Sequence, residues 1–300
     1  MRRFVCIMVI LSLLCLCAGC ERTSRETVFA MDTVMDLQIW GQDADDALDA
    51  VKERVLRQQD LWSATDPQSL LHGEDQTHEL FTLTEELSER TGGAFDPQLG
   101  AVMEAWGFYN KEYRIPAAEE LTLALQQQKW DLGAAVKGYT GDLCVQTLTQ
   151  YKVDRALLNL GGNVQTYGEK PDGAPWTIGI QNPDGGDPVG TVAFHGAMAV
   201  VTSGDYQRYF EQDGVRYHHI IDPETGAPAR SGLRSVTVIC RDGLTADVLS
   251  TALFVMGIEE AVAFWRSSDD FEAVFITEQG TICATQGAGF AGCEHEVIER

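Results

Sequence analysis

The stretch Trp130-Asp-Leu-Gly-Ala-Ala-Val-Lys-Gly-Tyr-Thr-Gly-Asp142 lies near the middle of the 300-residue chain and is rich in small residues. From Val136 onward, apolar residues recur at roughly helical spacing, which predicts a helix that begins inside this stretch. Small residues before a helix leave backbone N–H groups free for an anion, and Lys137 adds a positive charge. The stretch therefore predicts a phosphate-binding turn, although it matches neither the P-loop nor the Gly-x-Gly-x-x-Gly pattern. A turn from a strand into a helix, carrying a surface lysine, is the alternative.

The composition sets limits on the kind of protein and on its partners. Three hundred residues are enough for one large domain or two intertwined ones. The formal net charge of −23 argues against nucleic acid as a partner, because binding to its phosphates requires basic patches. An acidic chain of this kind suits a soluble protein, or one that binds cations at acidic sites.

The N-terminus has the pattern of a secretion signal. Arg2 and Arg3 precede an apolar run from Phe4 to Leu16, which is too short for a comfortable membrane span and ends at Cys17-Ala-Gly-Cys20. Small residues before a cysteine resemble the lipobox of bacterial lipoproteins, although Cys17 stands where leucine is usual. The pattern predicts a lipoprotein signal peptide (residues 1–19), a lipidated Cys20 that can also carry palmitate, and a polar tether over residues 20–27. An ordinary signal cleaved near Ala18 is the alternative.

Four cysteines remain after the predicted lipidation site. Cys144 and Cys240 lie in apolar runs and are predicted to be buried. Cys283 and Cys293 flank a glycine-rich loop, and a disulfide between them is left open, because oxidation is possible outside the cytoplasm. The chain has no Cys-x-x-Cys motif and no Cys/His spacing typical of zinc sites.

Helical and strand-like stretches are interspersed along the rest of the chain, which predicts an α+β fold. We expect a mostly antiparallel sheet with flanking helices, in a single intertwined domain over residues 28–300. A polar loop is predicted over residues 63–76. The predicted strands are 28–40, 156–160, 176–180, 192–194, 199–201, 217–221, 235–240 and 271–277, and the predicted helices are 44–62, 78–90, 102–108, 117–128, 244–256 and 259–266.

Three further clusters contain residues suited to chemistry. Gly92-Gly-Ala-Phe-Asp-Pro97 is either a helix stop with an Asp-Pro turn or a ligand-binding turn. His218 and His219 are adjacent in a predicted strand, so one of them can face a cleft and act as a general base. A polar strand edge entering an Asp-Pro turn is the alternative.

The third cluster predicts a cation site. Asp247 and Thr251 are four residues apart in a predicted helix and therefore share a face. A carboxylate with a hydroxyl suits a hard cation such as Mg²⁺, which keeps waters and substrate phosphates as its other ligands. The alternative is an acid that interacts with the helix dipole while Thr251 packs in the core.

Taken together and in this order, the clusters resemble the ApbE family of FAD:protein FMN transferases. The resemblance covers about residues 28 to 280. It is carried by Met31-Asp-Thr33, Gly93-Ala-Phe-Asp-Pro97, Trp106-Gly-Phe108, the stretch from Asp131 to Tyr139, Leu160-Gly-Gly162, Trp176 to Pro183, Thr202-Ser-Gly-Asp-Tyr206, the stretch from His219 to Pro228, Ser235-Val-Thr-Val238, and Ala246-Asp247 with Thr251.

The resemblance implies an activity and a set of site residues. Members transfer the FMN half of FAD to a threonine or serine of a target protein and release AMP. Magnesium is expected at the backbone carbonyl of Ala134 and the side chains of Asp247 and Thr251. Thr65 stands near the position where relatives often carry an aromatic residue, so a ring stacked on FAD is in doubt. The implied FAD contacts are Met31, Ala94, Phe95, Asp96, Asp131, Lys137 and Ile221, with Thr65 at the position in doubt.

The transfer requires a base for the acceptor hydroxyl, and His219 is the candidate, with Asp222 or Asp205 to orient it or to replace it.

The expected acceptors are flavoprotein subunits of membrane redox complexes and extracytoplasmic reductases, which a lipid-anchored enzyme outside the cytoplasmic membrane can reach. A flavin-binding lipoprotein without transferase activity, an FAD hydrolase that releases FMN and AMP, and a solute-binding lipoprotein of a transporter are the alternatives. Retention of Asp247 and Thr251 argues against the first, and the absence of two similar lobes argues against the last.

Overall fold

A nine-stranded sheet lies at the centre of the protein, which the computed structural model describes over residues 22–62 and 75–300. Its strand order is β1-β2-β3-β4-β7-β10-β11-β12-β14, antiparallel except for the pair β12–β14. The predicted α+β class with a mostly antiparallel sheet is confirmed. The strands are β1 (Thr23–Ala30), β2 (Thr33–Gly41), β3 (Val153–Leu160), β4 (Asn163–Gly168), β5 (Trp176–Ile180), β6 (Gly190–Phe194), β7 (Ala199–Gly204), β8 (Tyr209–Gln212), β9 (Val215–His218), β10 (Leu233–Cys240), β11 (Phe271–Thr277), β12 (Ile282–Thr285), β13 (Phe290–Gly292) and β14 (Glu296–Ile298).

Helices cover one face of this sheet. In β2, Met35, Leu37 and Ile39 are fully buried, whereas Asp36 and Gln38 between them are partly exposed, as expected for a strand with one covered face. The first helix packs on β1 and β2, and the last packs on β7 and β10. The helices are α1 (Ala44–Trp62), α2 (Asp75–Arg90), α3 (Gly100–Trp106), α4 (Ala118–Leu125), α5 (Val136–Leu148) and α6 (Gly243–Arg266).

A small sheet of order β13-β6-β5 covers the other face of the central sheet. Ile180 and Val192 from this small sheet are buried with Val200, Ile239 and Val274 of the large one. Strand β10 therefore has apolar neighbours on both sides, and nearly all of its residues are buried. The remaining pair, β8–β9, forms a separate two-stranded sheet next to α3.

Helix α6 is the one described helix that is long and apolar enough to cross a membrane by length and composition. It packs against α5, β7 and β10, and half of its most apolar window is buried, as in the core helix of a folded domain. Within this range the backbone is interrupted at Gly257, whose φ of 76° and ψ of 170° are not helical. The two helices predicted over 244–256 and 259–266, with a stop at Gly257, are therefore confirmed as the two parts of α6.

Three predictions near the chain's strands are corrected. The predicted strand 28–40 is a hairpin whose turn contains Met31 and Asp32, both with positive φ. The alternation of apolar residues continues across this two-residue turn, so the pattern alone does not show it. Residues 23–27 of the predicted tether belong to β1, where backbone hydrogen bonds to β2 hold a polar edge strand. The predicted strand 217–221 ends at His218.

The cysteines in the described part of the chain form no disulfide with one another. Cys144 and Cys240 are buried, as predicted, and all four cysteines of the described residues are free thiols, with Cys283 buried and Cys293 exposed. The predicted signal peptide, the lipidation site Cys20 and Thr65 lie outside the described residues, as does most of the predicted loop 63–76. Helix α2 already begins at Asp75.

Candidate active site

A cavity of about 1320 Å³ opens at one end of the central sheet. The β1–β2 and β3–β4 turns, the C-terminal end of β7, the N-terminal end of α5 and the first turns of α6 all contribute to its walls. The cavity brings together residues that are more than 200 positions apart in the chain. The predicted site residues that line it are Met31, Ala94, Phe95, Asp96, Asp131, Ala134, Lys137, His219, Ile221, Asp247 and Thr251.

The stretch from Asp131 to Lys137 forms the turn into α5. The Asp131 carboxylate accepts the Gly133 N–H at 2.8 Å, and the Asp131 N–H donates to the Pro97 carbonyl at 2.8 Å. This second bond joins the turn to the segment that carries Ala94, Phe95 and Asp96. Lys137 lies in the first turn of α5, and its ammonium group has no ion-pair partner among the residues that the structure describes. An anion-binding turn was predicted from two features, a helix N-terminus and an unpaired cation. Both features are found in the cavity.

A helical hydrogen bond is replaced at the candidate cation site. In a regular helix the Gly138 N–H donates to the Ala134 carbonyl four residues earlier. Here that N–H donates to Oδ2 of Asp247 at 2.8 Å, although Asp247 is 109 residues later. The Ala134 carbonyl consequently accepts no hydrogen bond within the described part of the chain. The buried Asp247 carboxylate thus accepts the N–H that the Ala134 carbonyl would accept in a regular helix.

Gly138 permits this arrangement because α5 and α6 cross there at close range. A Cβ atom at position 138 would lie 2.2 Å from the Gly243 carbonyl oxygen and 2.8 Å from Cβ of Asp247. Gly243, at the start of α6, is equally crowded, with a Cβ position 2.7 Å from the Gly138 carbonyl oxygen. Two glycines therefore allow the close approach of α5 to α6, which carries Asp247.

The oxygen atoms of three cavity residues are suited to bind a hard cation. Ala134, Asp247 and Thr251 offer a carbonyl, a carboxylate and a hydroxyl, and all three line the cavity. The described residues contain no cluster of three His, Cys, Asp or Glu side chains suited to a metal. A site with one carboxylate suits Mg²⁺, whose remaining positions are filled by waters and by phosphate oxygens of a substrate.

The start of α6 is fixed by two further acids. The Asp142 carboxylate, from α5, accepts the N–H groups of Gly243 and Leu244 at 2.8 Å each. Asp242 caps the same helix by accepting the Thr245 N–H at 2.7 Å. Burial, and then the charge of Asp242, raise the pKa of Asp142 to about 7.

The two adjacent histidines have different environments. His218 is buried, its Nε2 lies 3.0 Å from the Ala229 carbonyl, and its ring meets Phe254 edge-on. Burial lowers the pKa of His218 to about 4. His219 follows directly after β9 and lines the cavity. The prediction that one histidine of the pair faces a cleft is confirmed.

A backbone carbonyl sets the tautomer of His219. Its Nδ1 lies 3.2 Å from the Arg208 carbonyl oxygen, which can only accept a hydrogen bond, so Nδ1 carries the proton. Nε2 is then the nitrogen with a free lone pair. Burial, followed by the positive charge of Arg208, lowers the pKa of His219 to about 3, so the ring is neutral at pH 7.

The predicted partners of His219 have other roles. The Asp222 carboxylate accepts the Glu224 N–H at 2.9 Å and the Thr225 hydroxyl at 3.1 Å, which closes a turn away from the cavity lining. Asp205 is engaged by Arg234 at 2.9 Å. The predicted pairing of His219 with either acid is therefore replaced by its bond to Arg208.

Several cavity residues were not predicted from the sequence. Tyr109 lines the cavity together with Asp131, and its pKa is raised by burial first and by the Asp131 charge second. Its position directly after the Trp106-Gly-Phe108 motif is a sequence feature from which Tyr109 could have been predicted as a site residue. Ser203 also lines the cavity, and it lies inside the motif Thr202-Ser-Gly-Asp-Tyr206, which by itself assigns it no role. A further wall of the cavity, from β3 and β5, has no distinguishing sequence pattern and includes Leu157, Asn159, Thr177, Ile178, Gly179 and Gln181.

Comparisons with known proteins show the family of this chain. The family model described as "ApbE family" matches residues 31–275. Among curated relatives, the FAD:protein FMN transferase of Klebsiella pneumoniae (strain 342) is 38% identical over 212 residues, which cover 63% of this chain and 65% of the relative. That of Treponema pallidum is 36% identical over 235 residues, covering 67% and 65%. The chain thus spans about two thirds of the length of these relatives.

Solved structures show the same architecture. The ApbE protein of Thermotoga maritima superposes with a TM-score of 0.79 at 33% identity, covering 87% of this chain and 96% of that one. The flavinyl transferase ApbE of Pseudomonas stutzeri, in its apo form, gives 0.78 at 28% identity, covering 89% and 96%. The matched segment includes every predicted site residue that lines the cavity, from Met31 to Thr251. The chain therefore belongs to the ApbE family.

Proposed function

We propose that this protein transfers the FMN moiety of FAD to a threonine or serine hydroxyl of an acceptor protein in a Mg²⁺-dependent reaction that releases AMP. The observation that carries the proposal is that the uncommitted Ala134 carbonyl and the buried Asp247 line the same cavity as Lys137 and His219. The names of the relatives, FAD:protein FMN transferase, supply the reaction that this arrangement fits.

The reaction exchanges one phosphorus–oxygen bond for another. The acceptor hydroxyl oxygen bonds to the phosphorus of the FMN half, and the bond from that phosphorus to the bridging oxygen breaks. AMP leaves with the bridging oxygen, and the hydroxyl proton passes to Nε2 of His219. Such a transfer depends mainly on positioning and charge neutralisation.

Charge neutralisation is assigned to the turn into α5. Lys137 and the N–H groups at the start of that helix face an anionic pyrophosphate in this proposal. Ala134, Asp247 and Thr251 would hold Mg²⁺, which neutralises charge on the pyrophosphate and on the departing AMP. Asp131 and Met31, whose N–H donates to Gln59 Oε1 at 2.9 Å, would position the nucleotide.

His219 is suited to accept a proton only after the substrate binds. Without a ligand, burial, Arg208 and, more weakly, Lys137 keep its pKa low. An anionic pyrophosphate offsets those two positive charges, and a nearby negative charge raises the pKa of a histidine. Binding of FAD would therefore bring His219 nearer to the pKa at which general-base catalysis is efficient at neutral pH.

The location and the partners belong to the same proposal. The pattern of residues 1–20 supports a lipoprotein anchored through Cys20 outside the cytoplasmic membrane. The acceptors would then be extracytoplasmic reductases and flavoprotein subunits of membrane redox complexes. FAD hydrolysis at the same site, with water in place of the acceptor hydroxyl, is the second candidate because the proposed base is equally accessible to water.

The test is to incubate the mature protein with FAD, with and without Mg²⁺, and with a flavoprotein acceptor from the same genome. Covalent flavin fluorescence on the acceptor, together with AMP, is the expected result. Free FMN without labelled acceptor would replace the transferase by a hydrolase, and unchanged FAD would replace it by a flavin-binding protein. A Thr→Ala change at the modified acceptor residue is the matched control, since it removes only the receiving hydroxyl.

A further inference from the structure

A chain of three hydroxyl groups lies behind the candidate cation site. Ser203 Oγ, at the end of β7, lies 2.8 Å from Ser250 Oγ and 3.1 Å from Thr251 Oγ1, both on α6. Ser250 Oγ in turn donates to the Asp247 carbonyl at 2.8 Å. Ser250 is fully buried and Ser203 is 8% exposed, so water competes little with these bonds.

Counting protons fixes the direction of this chain. The Ser250 proton is committed, because the Asp247 carbonyl can only accept a hydrogen bond. The Ser203–Ser250 contact must then use the Ser203 proton. Ser203 has no second proton, so its contact with Thr251 must use the proton of Thr251.

The direction has a consequence for Thr251. Its proton points to Ser203, and no donor within the described part of the chain occupies either lone pair of its hydroxyl oxygen. A hydroxyl binds a cation through a lone pair and must direct its proton elsewhere. The hydrogen-bond chain therefore holds the Thr251 hydroxyl in the orientation that a metal ligand requires, before any metal binds.

We propose that Ser203 is a positioning residue of the Mg²⁺ site, which receives the Thr251 proton and so presents the Thr251 oxygen to the cation. The inference rests on the magnesium site of the proposed function. Groups that orient a metal ligand from behind typically change metal affinity 10–100-fold when they are removed. Ser203 thereby links the central sheet to the two side-chain ligands on α6.

Three variants separate this role from simple loss of a buried hydrogen bond. Ser203→Ala removes the acceptor of the Thr251 proton. Ser250→Ala leaves the Ser203 proton without its partner, so that it competes for the Thr251 oxygen, although Ser250 does not line the cavity. Thr237→Val is the matched control, since Thr237 is fully buried and its hydroxyl pairs with Thr202 at 2.8 Å, outside the chain of three.

The measurement is the affinity for FAD, followed by flavin fluorescence, at increasing Mg²⁺. For Ser203→Ala we expect a rise of about tenfold or more in the Mg²⁺ concentration that gives half of the Mg²⁺-dependent change in FAD affinity. The FAD affinity measured without Mg²⁺ should be unchanged. Ser250→Ala should shift it less, in the same direction, and Thr237→Val should not shift it. Ser250→Ala carries the test if Ser203→Ala does not fold.

The proposal is overturned if the serine variants need no more Mg²⁺ than Thr237→Val, or if wild-type FAD binding does not respond to Mg²⁺. It is also overturned if Ser203→Ala weakens FAD binding equally without Mg²⁺, because Ser203 would then contact the nucleotide. Failure of the wild-type protein to label any acceptor would contradict the transferase function alone, since Mg²⁺ binding is measured independently of transfer.

Discussion

The two sides of the cavity are built in different ways. On the side of the proposed cation site (the cation side), Asp247 is 4% exposed, Gly138 allows two helices to touch, and Asp142 holds the start of α6 through two hydrogen bonds. On the side of the proposed base (the base side), His219 follows a short strand of a two-stranded sheet, and the ring is held by one bond to the Arg208 carbonyl. A cation requires ligands at fixed distances, whereas a base that serves a protein acceptor has to remain accessible.

The largest effect is expected on the cation side, from Asp247→Ala. Removal of the only carboxylate among the proposed ligands should lower Mg²⁺-dependent transfer by about 10³-fold or more. The variant also leaves the Gly138 N–H without its partner, which costs about 1–3 kcal/mol of stability. Transfer rates and thermal unfolding measured together check both effects. Full activity of a folded variant would refute the cation site.

On the base side, His219→Ala should lower transfer about 10²- to 10⁴-fold with little change in FAD affinity, since the ring is assigned to the acceptor proton. Because bound FAD is expected to raise the His219 pKa, the wild-type rate should fall as the pH drops through that raised pKa, and the variant should lack this limb. Rates between pH 5 and pH 9 provide the measurement. A native rate across this range would remove His219 from the mechanism.

A smaller effect is expected from Gly138→Ala, which separates the two helices without changing a ligand. The added Cβ meets backbone and Cβ atoms rather than a flexible side-chain end, so the helices have to shift. We expect Mg²⁺ affinity to fall about 10-fold, at a cost of about 1–3 kcal/mol in stability. Metal titration of FAD binding checks this, and unchanged Mg²⁺ affinity would show that the close helix crossing does not determine the site.

The smallest effect concerns stability and pH. The pKa of Asp142 is raised to about 7 in the folded protein, so the folded state binds more protons than the unfolded state between about pH 4 and pH 7. Its contribution to stability is fully present below about pH 4 and is lost as the pH rises through 7. As the pH rises from 5 to 8, the free energy of unfolding measured in urea should therefore fall for the wild type relative to Asp142→Asn. A constant difference would contradict the raised pKa.

The sequence predicted the components of the site better than their connections. The fold class is as predicted, and the predicted site residues in the described part of the chain, other than Asp205 and Asp222, line one cavity, because the motifs are local and specific. The contact between Gly138 and Asp247 was not predictable, since it replaces a regular helical bond with one across 109 residues. The direction of the bonds from Thr251 to Ser250 likewise depends on atomic positions that spacing does not encode.

Errors in the fold prediction have similar physical causes. A polar edge strand is stabilised by its backbone bonds, so residues 23–27 have the composition of a tether while pairing with β2. Asp222 stands in an Asp-Pro-Glu-Thr-Gly sequence that suits both a turn and a catalytic loop, and the turn takes its carboxylate. Composition and spacing cannot distinguish these uses, because they differ only in tertiary contacts.

The most direct test of the account is the position of the cation. Crystals of the mature protein grown with FAD and Mn²⁺ in place of Mg²⁺ can be measured by anomalous diffraction. The account predicts one anomalous peak within coordination distance of the Ala134 carbonyl, the Asp247 carboxylate and the Thr251 hydroxyl. A peak elsewhere in the cavity, or FAD bound in full without any peak, would contradict it.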